Sequence, residues 1–317
     1  MRNYIFRRLL AVPFMLLGMS MLLFWLLFLR PGDAAIANFG FVSPEQQAGA
    51  IANLQKELGL DDPPHVQYLR WLGHAVRGDL GESLRTHRSI SGEIADRIGN
   101  TIELGILSIL LSLLIGVPAG IISAVKAGTW IDYLLRVVTI AGISVPGFWI
   151  GTLLLTLPAI WWEKTPLSTN YVEFLEDPLG NLKIVIWPAL VIAISSAAYV
   201  ARIVRSSMLE NLYSDYVRTA RAKGLQERVV VLQHVFRSSL ITLITVIGVQ
   251  LGGILGGAVV AEQLFGIPGI GLLTFEGVLA IDYTLVLGVI MVFALMFILI
   301  TLAVDILYTV VDPRIRY

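Results

Sequence analysis

Six long apolar runs divide the chain, at about residues 9–29, 102–125, 135–160, 184–204, 240–261 and 285–310. A helix needs about 20 apolar residues to cross roughly 30 Å of hydrocarbon, and each run is long enough. With no water to satisfy the backbone, such runs become helices. The pattern therefore predicts an all-α integral membrane protein with six transmembrane helices. The first run follows the basic opening MRNYIFRR, and its apolar core of about 21 residues exceeds the roughly 7–15 of a signal peptide. It reads as a retained anchor. On this reading residues 1–29 form the N-terminus and first transmembrane helix, 30–101 an extracytoplasmic helical segment, and 102–317 a five-helix transmembrane core.

The 30–101 segment is too polar for lipid and carries two helix patterns. SPEQQAGAIANLQKELGL begins with Ser43 as N-cap, Pro44 in the first turn and Gln46 completing a capping box, and stops near Gly59. HVQYLRWLGHAVRG places Val66, Leu69, Leu72 and Val76 on one side, with Tyr68 and Trp71 suited to a membrane interface. A helical cap over the outer mouth is expected. After the fifth run, EQLFGIPGIGLL reads as a Pro-Gly turn followed by a short re-entrant or interfacial helix.

Composition narrows the chemistry. Charged residues make up 15% of the chain and mean hydropathy is +0.78. Soluble domains carry about 25% charge, so the chain is a membrane protein on composition alone. Absence of cysteine excludes disulfides, thiolate catalysis and cysteine metal sites. The four histidines (His65, His74, His87 and His234) form no metal-ligand pair at helical spacing, so no metal site is expected. No Gly-x-x-x-x-Gly-Lys-Ser/Thr phosphate loop occurs, so the chain itself is not expected to bind nucleotide in that way.

Net charge is zero, but its distribution is uneven. With the N-terminus in the cytoplasm, that side collects fourteen Lys and Arg, seven of them in residues 202–239. The short loops opposite hold only Lys164 and Lys183. The positive-inside rule then puts both termini in the cytoplasm. Within the runs ionisable residues are almost absent. Glu103, Glu262 and Asp305 fall near the ends, and Gln250 is the main strongly polar residue deep in a run. Ionisable groups held in the bilayer usually mark proton or ion pathways, so a proton-coupled carrier, a voltage sensor and an intramembrane hydrolase are all disfavoured. No paired carboxylates or Ser/His/Asp grouping suggests catalysis.

Glycine and proline interrupt the runs instead. GVQLGGILGG places Gly248, Gly252 and Gly256 on one stripe, with Gly253 and Gly257 beside it and Gln250 within. Such spacing lets helix backbones approach closely, as packing, as a pathway face or both. Pro118, Pro146, Pro158 and Pro188 each remove a backbone donor and can kink a helix.

One basic stretch breaks the apolar pattern. SDYVRTARAKGLQERVVVLQHVFR, residues 214–237, holds five Arg or Lys. Leu209, Leu212, Tyr216 and Ala220 fall on one helical stripe; Leu225, Val229, Leu232 and Phe236 form a second, with Gly224 between. It reads as two amphipathic helices hinged at a glycine. The charge would serve topology, bind anionic lipid, or rim an elbow that plugs into a cytoplasmic partner.

DYVRTARAKGLQERVVVLQHVFR resembles the cytoplasmic EAA loop of binding-protein-dependent ABC importer permeases of the peptide/nickel branch. LGLDDPPHVQYLRWLGHAVRGDLGESLRT, EQLFGIPGIGLL, DYTLVLG and DILYTVVDPRIRY resemble the dipeptide or oligopeptide B-type subunit of that branch, over nearly the whole chain. Gly224 matches the loop's glycine and Ala220 its second alanine. Arg218 stands at the acidic position, Thr219 at the first alanine, and HVFR where Ile-x-Leu-Pro is usual. The resemblance implies a type I-like importer permease in a bacterial-type inner membrane, a non-catalytic half of the translocation pathway for peptides or related small solutes. It implies a second homologous permease, two ATPase subunits that carry ATP and Mg, an extracytoplasmic substrate-binding protein and surrounding membrane lipid, and no nucleic acid. ATPase coupling would fall on the loop at about 205–239, at Asp215, Tyr216, Arg218, Thr219, Ala220, Arg221, Ala222, Lys223, Gly224 and Leu225. A stand-alone channel or facilitator is the alternative, and a membrane-embedded enzyme the third reading. Dipeptides, oligopeptides, glutathione, nickel chelates and oligosaccharides all remain open as cargo.

Overall fold

A computed structural model describes residues 2–28, 62–163 and 171–311. Ten helices carry the described chain: α1 (Arg2–Phe28), α2 (Pro64–Ala75), α3 (Ile90–Val125), α4 (Trp130–Ser144), α5 (Gly147–Trp162), α6 (Pro178–Leu212), α7 (Asp215–Ala222), α8 (Arg237–Phe265), α9 (Ile270–Leu279) and α10 (Tyr283–Val311). A helical turn, Glu227–Val229, and a π-helical segment, Val230–Phe236, lead into α8. Among the described residues no strand occurs beyond one isolated bridge, Glu82 with Ser89. Among the described residues, four helices are long and apolar enough to cross a membrane, and up to six spans result if each bent helix pair counts as one.

The run at 135–160 is not one straight span. α4 and α5 meet at 96° across Val145 and Pro146. A residue before proline is pushed out of the helical region, and Val145 is extended at φ −83°, ψ 124°. Pro118, Pro158 and Pro188 instead lie inside uninterrupted helices. The first-run helix is long, but its apolar stretch among described side chains is Leu9–Trp25.

Two compact units emerge. Among the described residues, the larger comprises 2–5, 101–163, 171–267 and 299–311, and the smaller comprises 6–28, 62–100 and 268–298. In the larger unit α6 is the central helix, packing on α4, α5 and α8. Gly116 and Gly120 of α3 lie so close to α6 that a Cβ at Gly120 would stand 2.7 Å from the Ala201 carbonyl oxygen and 2.7 Å from Val204 Cβ. This is small-xxx-small packing. Gly248 makes a similar approach, to Val304 of α10.

In the smaller unit Ile90, Ile94, Ile270, Leu273, Leu285 and Val289 form the core. Asp282 caps α10 by accepting from the Leu285 amide at 3.0 Å, while Ser83 donates to its other oxygen at 2.6 Å. Helix α2 holds to α1 through Tyr68, whose hydroxyl is 2.8 Å from Ser20 Oγ and whose ring meets Phe24 edge-on at 5.4 Å. The expected Val66/Leu69/Leu72/Val76 face is not the buried one, because Leu69 and Val76 are exposed and Gln67 is buried. The helix expected from Ser43 to Gly59 lies outside the described residues. Gly266, at φ 67°, ends α8, and α9 begins after Gly269, so the expected Pro-Gly turn and short helix are both present.

Candidate functional site

The basic stretch folds as an elbow on the end of the α6–α8 pair. Helix α7 ends in a Schellman motif: the Leu225 amide donates to Ala220 O at 3.4 Å and the Gly224 amide to Arg221 O at 2.9 Å. Gly224 takes φ 77°, the left-handed conformation that glycine adopts without strain. A Cβ there would meet open space, so the demand is conformational rather than steric.

Charge reinforces the bend. Arg221 reaches across it to Glu227 with Nε–Oε2 at 3.2 Å and Nη2–Oε1 at 2.7 Å. The Glu227 hydrogen bond raises the Arg221 guanidinium above its ordinary pKa. Arg221 is thus occupied within the elbow. Arg218, with its side chain 75% exposed and only a 3.9 Å contact to Asp215, is far more open.

The inner face of the elbow belongs to the bundle. Val217 is fully buried and Ala220 nearly so, in a cluster with Val204 and Met208 of α6 and Leu243 and Val246 of α8. Asp215, Tyr216, Arg218, Thr219, Arg221, Ala222, Lys223, Gly224 and Leu225 face outward. The stripes drawn from ideal helical spacing shift accordingly. Tyr216 is exposed beside buried Val217, because the chain breaks helix at Tyr213–Ser214. Past the glycine, Val230, Val231 and Val235 are buried while Leu225 and Leu232 are exposed. The wider turn of the π-segment rotates the inward face.

Polar links root the elbow. Asn211 donates from Nδ2 to Ser207 O at 2.8 Å and to Ser239 Oγ at 3.3 Å. The Tyr216 hydroxyl donates to Asn211 Oδ1 at 3.3 Å. Nearly two turns further back, Arg205 of α6 grips Asp132 of α4 in a bidentate pair at 2.8 and 2.9 Å. Ser123 Oγ and the Gly128 amide also donate to this carboxylate, at 2.6 and 3.1 Å. Asp132 is buried at 1% side-chain exposure, a cost that four donated hydrogen bonds offset. Sequence reading missed this knot, since its partners lie 73 residues apart. Asp132 sits in the short link ahead of the apolar run at about 135–160, where an aspartate by itself signals nothing unusual.

A groove of about 450 Å³ opens between α4, α5, α6 and α8. Its walls are mainly apolar, with a polar patch where Gln250 Nε2 donates to Ser196 Oγ at 3.1 Å beside Ser195 and Tyr199. Of the glycine-stripe candidates, Gly253 and Gly257 line this groove with Gln250, whereas Gly248 packs against Val304. Gly256 faces open space and Gly252 is half-buried away from the groove lining. Glu262 is fully buried, and Thr101 donates to it at 2.6 Å.

Residues 116–317 match the family described as binding-protein-dependent transport system inner membrane component, and residues 1–105 match the N-terminal model of that system's membrane component. The chain is 38% identical over 336 aligned positions to the dipeptide transport system permease protein DppB of Alkalihalophilus pseudofirmus, covering 100% of both chains. It is also 38% identical over 319 positions to the glutathione transport system permease protein GsiC of Salmonella paratyphi A, again covering 100% of both. Among solved structures, the MetNI methionine ABC transporter in an inward-facing conformation aligns with TM-score 0.56 at 16% identity, over 69% of this chain and 96% of that one. That likeness extends to the fold. With both family models and full-length relatives in agreement, the chain belongs to the family of binding-protein-dependent transport system inner membrane components.

Proposed function

We propose that the chain is the permease subunit of an ATP-driven importer for peptides or related small solutes, and that it couples to a separate ATPase through the elbow. The observation that carries this reading is the elbow itself. A short helix is pinned by Val217 and Ala220 to its own bundle and turns at Gly224, leaving a basic outer face with Arg218 and Lys223 open. A stand-alone pore has no use for such a rigid projection.

In this mechanism the elbow is cytoplasmic, as the positive charge distribution favours. ATP and Mg stay on two ATPase subunits, whose closure pushes on α7. The push travels into α6 and α8 through the shared core and through Asn211. A second homologous permease completes the pathway, and an extracytoplasmic binding protein delivers cargo. The groove with Gln250, Ser196 and Tyr199 offers a mixed apolar and hydrogen-bonding wall that suits peptide-like solutes. The names of the DppB and GsiC relatives point to the same cargo class.

The test is uptake of a labelled dipeptide and of glutathione by proteoliposomes holding the assembled transporter. ATP-dependent uptake that stops when the ATPase is omitted supports the proposal. Uptake down a gradient without ATP or ATPase contradicts it.

A further inference from the structure

A second basic feature lies away from the elbow. The adjoining parts of α3, α4 and α6 enclose a pocket of about 220 Å³ in which every charged lining residue is an arginine: Arg136, Arg202 and Arg205. Asp132 already balances Arg205 from behind. Arg136 and Arg202 make no ion pair among the described residues. Each guanidinium instead lies over a ring, Tyr133 at 5.5 Å and Tyr199 at 5.2 Å. Ser206 brings a hydroxyl to the same wall.

The surroundings say what kind of anion fits. Arg202 and Arg205 close the apolar run of α6, and exposed Trp130 and Tyr133 begin α4, the residue types that settle at headgroup level. Ile140, in the pocket wall, is 60% exposed and Val137, on the same helix outside the lining, is 64% exposed, an apolar surface that a free inorganic anion would not cover. Guanidinium forks match phosphate oxygens in paired hydrogen bonds, and the volume exceeds by several-fold the roughly 30 Å³ of one water. We infer that this pocket binds the phosphate headgroup of an anionic phospholipid, with an acyl chain along Val137 and Ile140. Basic pockets between membrane helices hold anionic headgroups on these principles. The inference is independent of the importer reading, because retained lipid is measured without transport.

The experiment titrates the delipidated full chain, with whatever transporter subunits accompany it, with phosphatidylglycerol or phosphatidylcholine micelles and reads retained lipid by native mass spectrometry. Wild type should prefer phosphatidylglycerol by roughly tenfold, and R136A/R202A should lose that preference with an unchanged unfolding midpoint. Both arginines are exposed and leave the Asp132–Arg205 pair intact; R136Q/R202Q gives the same reading should the alanine pair fold poorly. Equal retention of both lipids by wild type, or an unaltered preference in the double variant, overturns the inference. Millimolar inorganic phosphate that displaces phosphatidylglycerol overturns the lipid assignment in favour of a soluble phosphate site, and failure to displace it supports the lipid.

Discussion

Gly224 and Arg221 act on the same bend with unequal weight. A side chain at φ 77° costs about 1–2 kcal/mol, whereas an exposed ion pair such as Arg221–Glu227 contributes about 0.2–1 kcal/mol. Gly224→Ala should therefore strain the elbow by about 1 kcal/mol, and the β-branched Gly224→Val by more. Uptake should fall in that order while the amount in the membrane fraction stays constant; full uptake by Gly224→Val would remove the glycine from the account. Reversal of Arg221 works through Glu227, so Arg221→Glu should be partly rescued by Glu227→Arg. ATPase co-purification should drop for Arg218→Glu with Lys223→Glu and show no such rescue. Failure of the swap to restore co-purification would place Arg221 in direct contact with the partner. The glycine was legible from the sequence. The pair was not, because helical spacing says nothing about contacts across a bend.

At the scale of elements, two joints hold α6 to its neighbours. Arg205→Ala leaves the Asp132 carboxylate buried without its ion partner, a loss of about 3–5 kcal/mol. Removing both, as Asp132→Ala with Arg205→Ala, should cost less than Arg205→Ala alone, and thermal unfolding in detergent measures the difference. A double variant less stable than the single one would contradict the pairing. At the glycine joint Gly120→Val must push α3 off α6, because its Cβ would meet the Ala201 carbonyl, so folded yield should fall sharply. Gly256→Ala, whose Cβ meets open space, should leave that yield unchanged. Periodicity marked the 248–257 glycines and passed over Gly116 and Gly120, since spacing identifies a small face and only the partner helix shows which face is in contact. Pro146 breaks its run by 96°, with Val145 extended before it, while Pro118, Pro158 and Pro188 lie inside continuous helices, so proline in a run does not by itself locate a break.

At the scale of the molecule, hydropathy located the helical segments, and the aligned positions of full-length relatives place them in one transport family. Hydropathy could not reveal that residues 268–298 share a compact unit with 6–28 and 62–100, because that pairing is made by contacts such as Ser83 with Asp282 across 199 residues. Nor could it separate the elbow's inner face from its outer one, which the break at Tyr213–Ser214 and the π-segment decide. If the elbow couples transport to ATP, its outer face receives force from an ATPase. Purification of the tagged chain from mild detergent, beside an Arg218→Glu with Lys223→Glu variant, tests it most directly. Wild type should bring an ATPase and a second permease, and the variant should keep the permease but lose the ATPase. A chain that purifies alone, or a variant that keeps its ATPase in full, would contradict it.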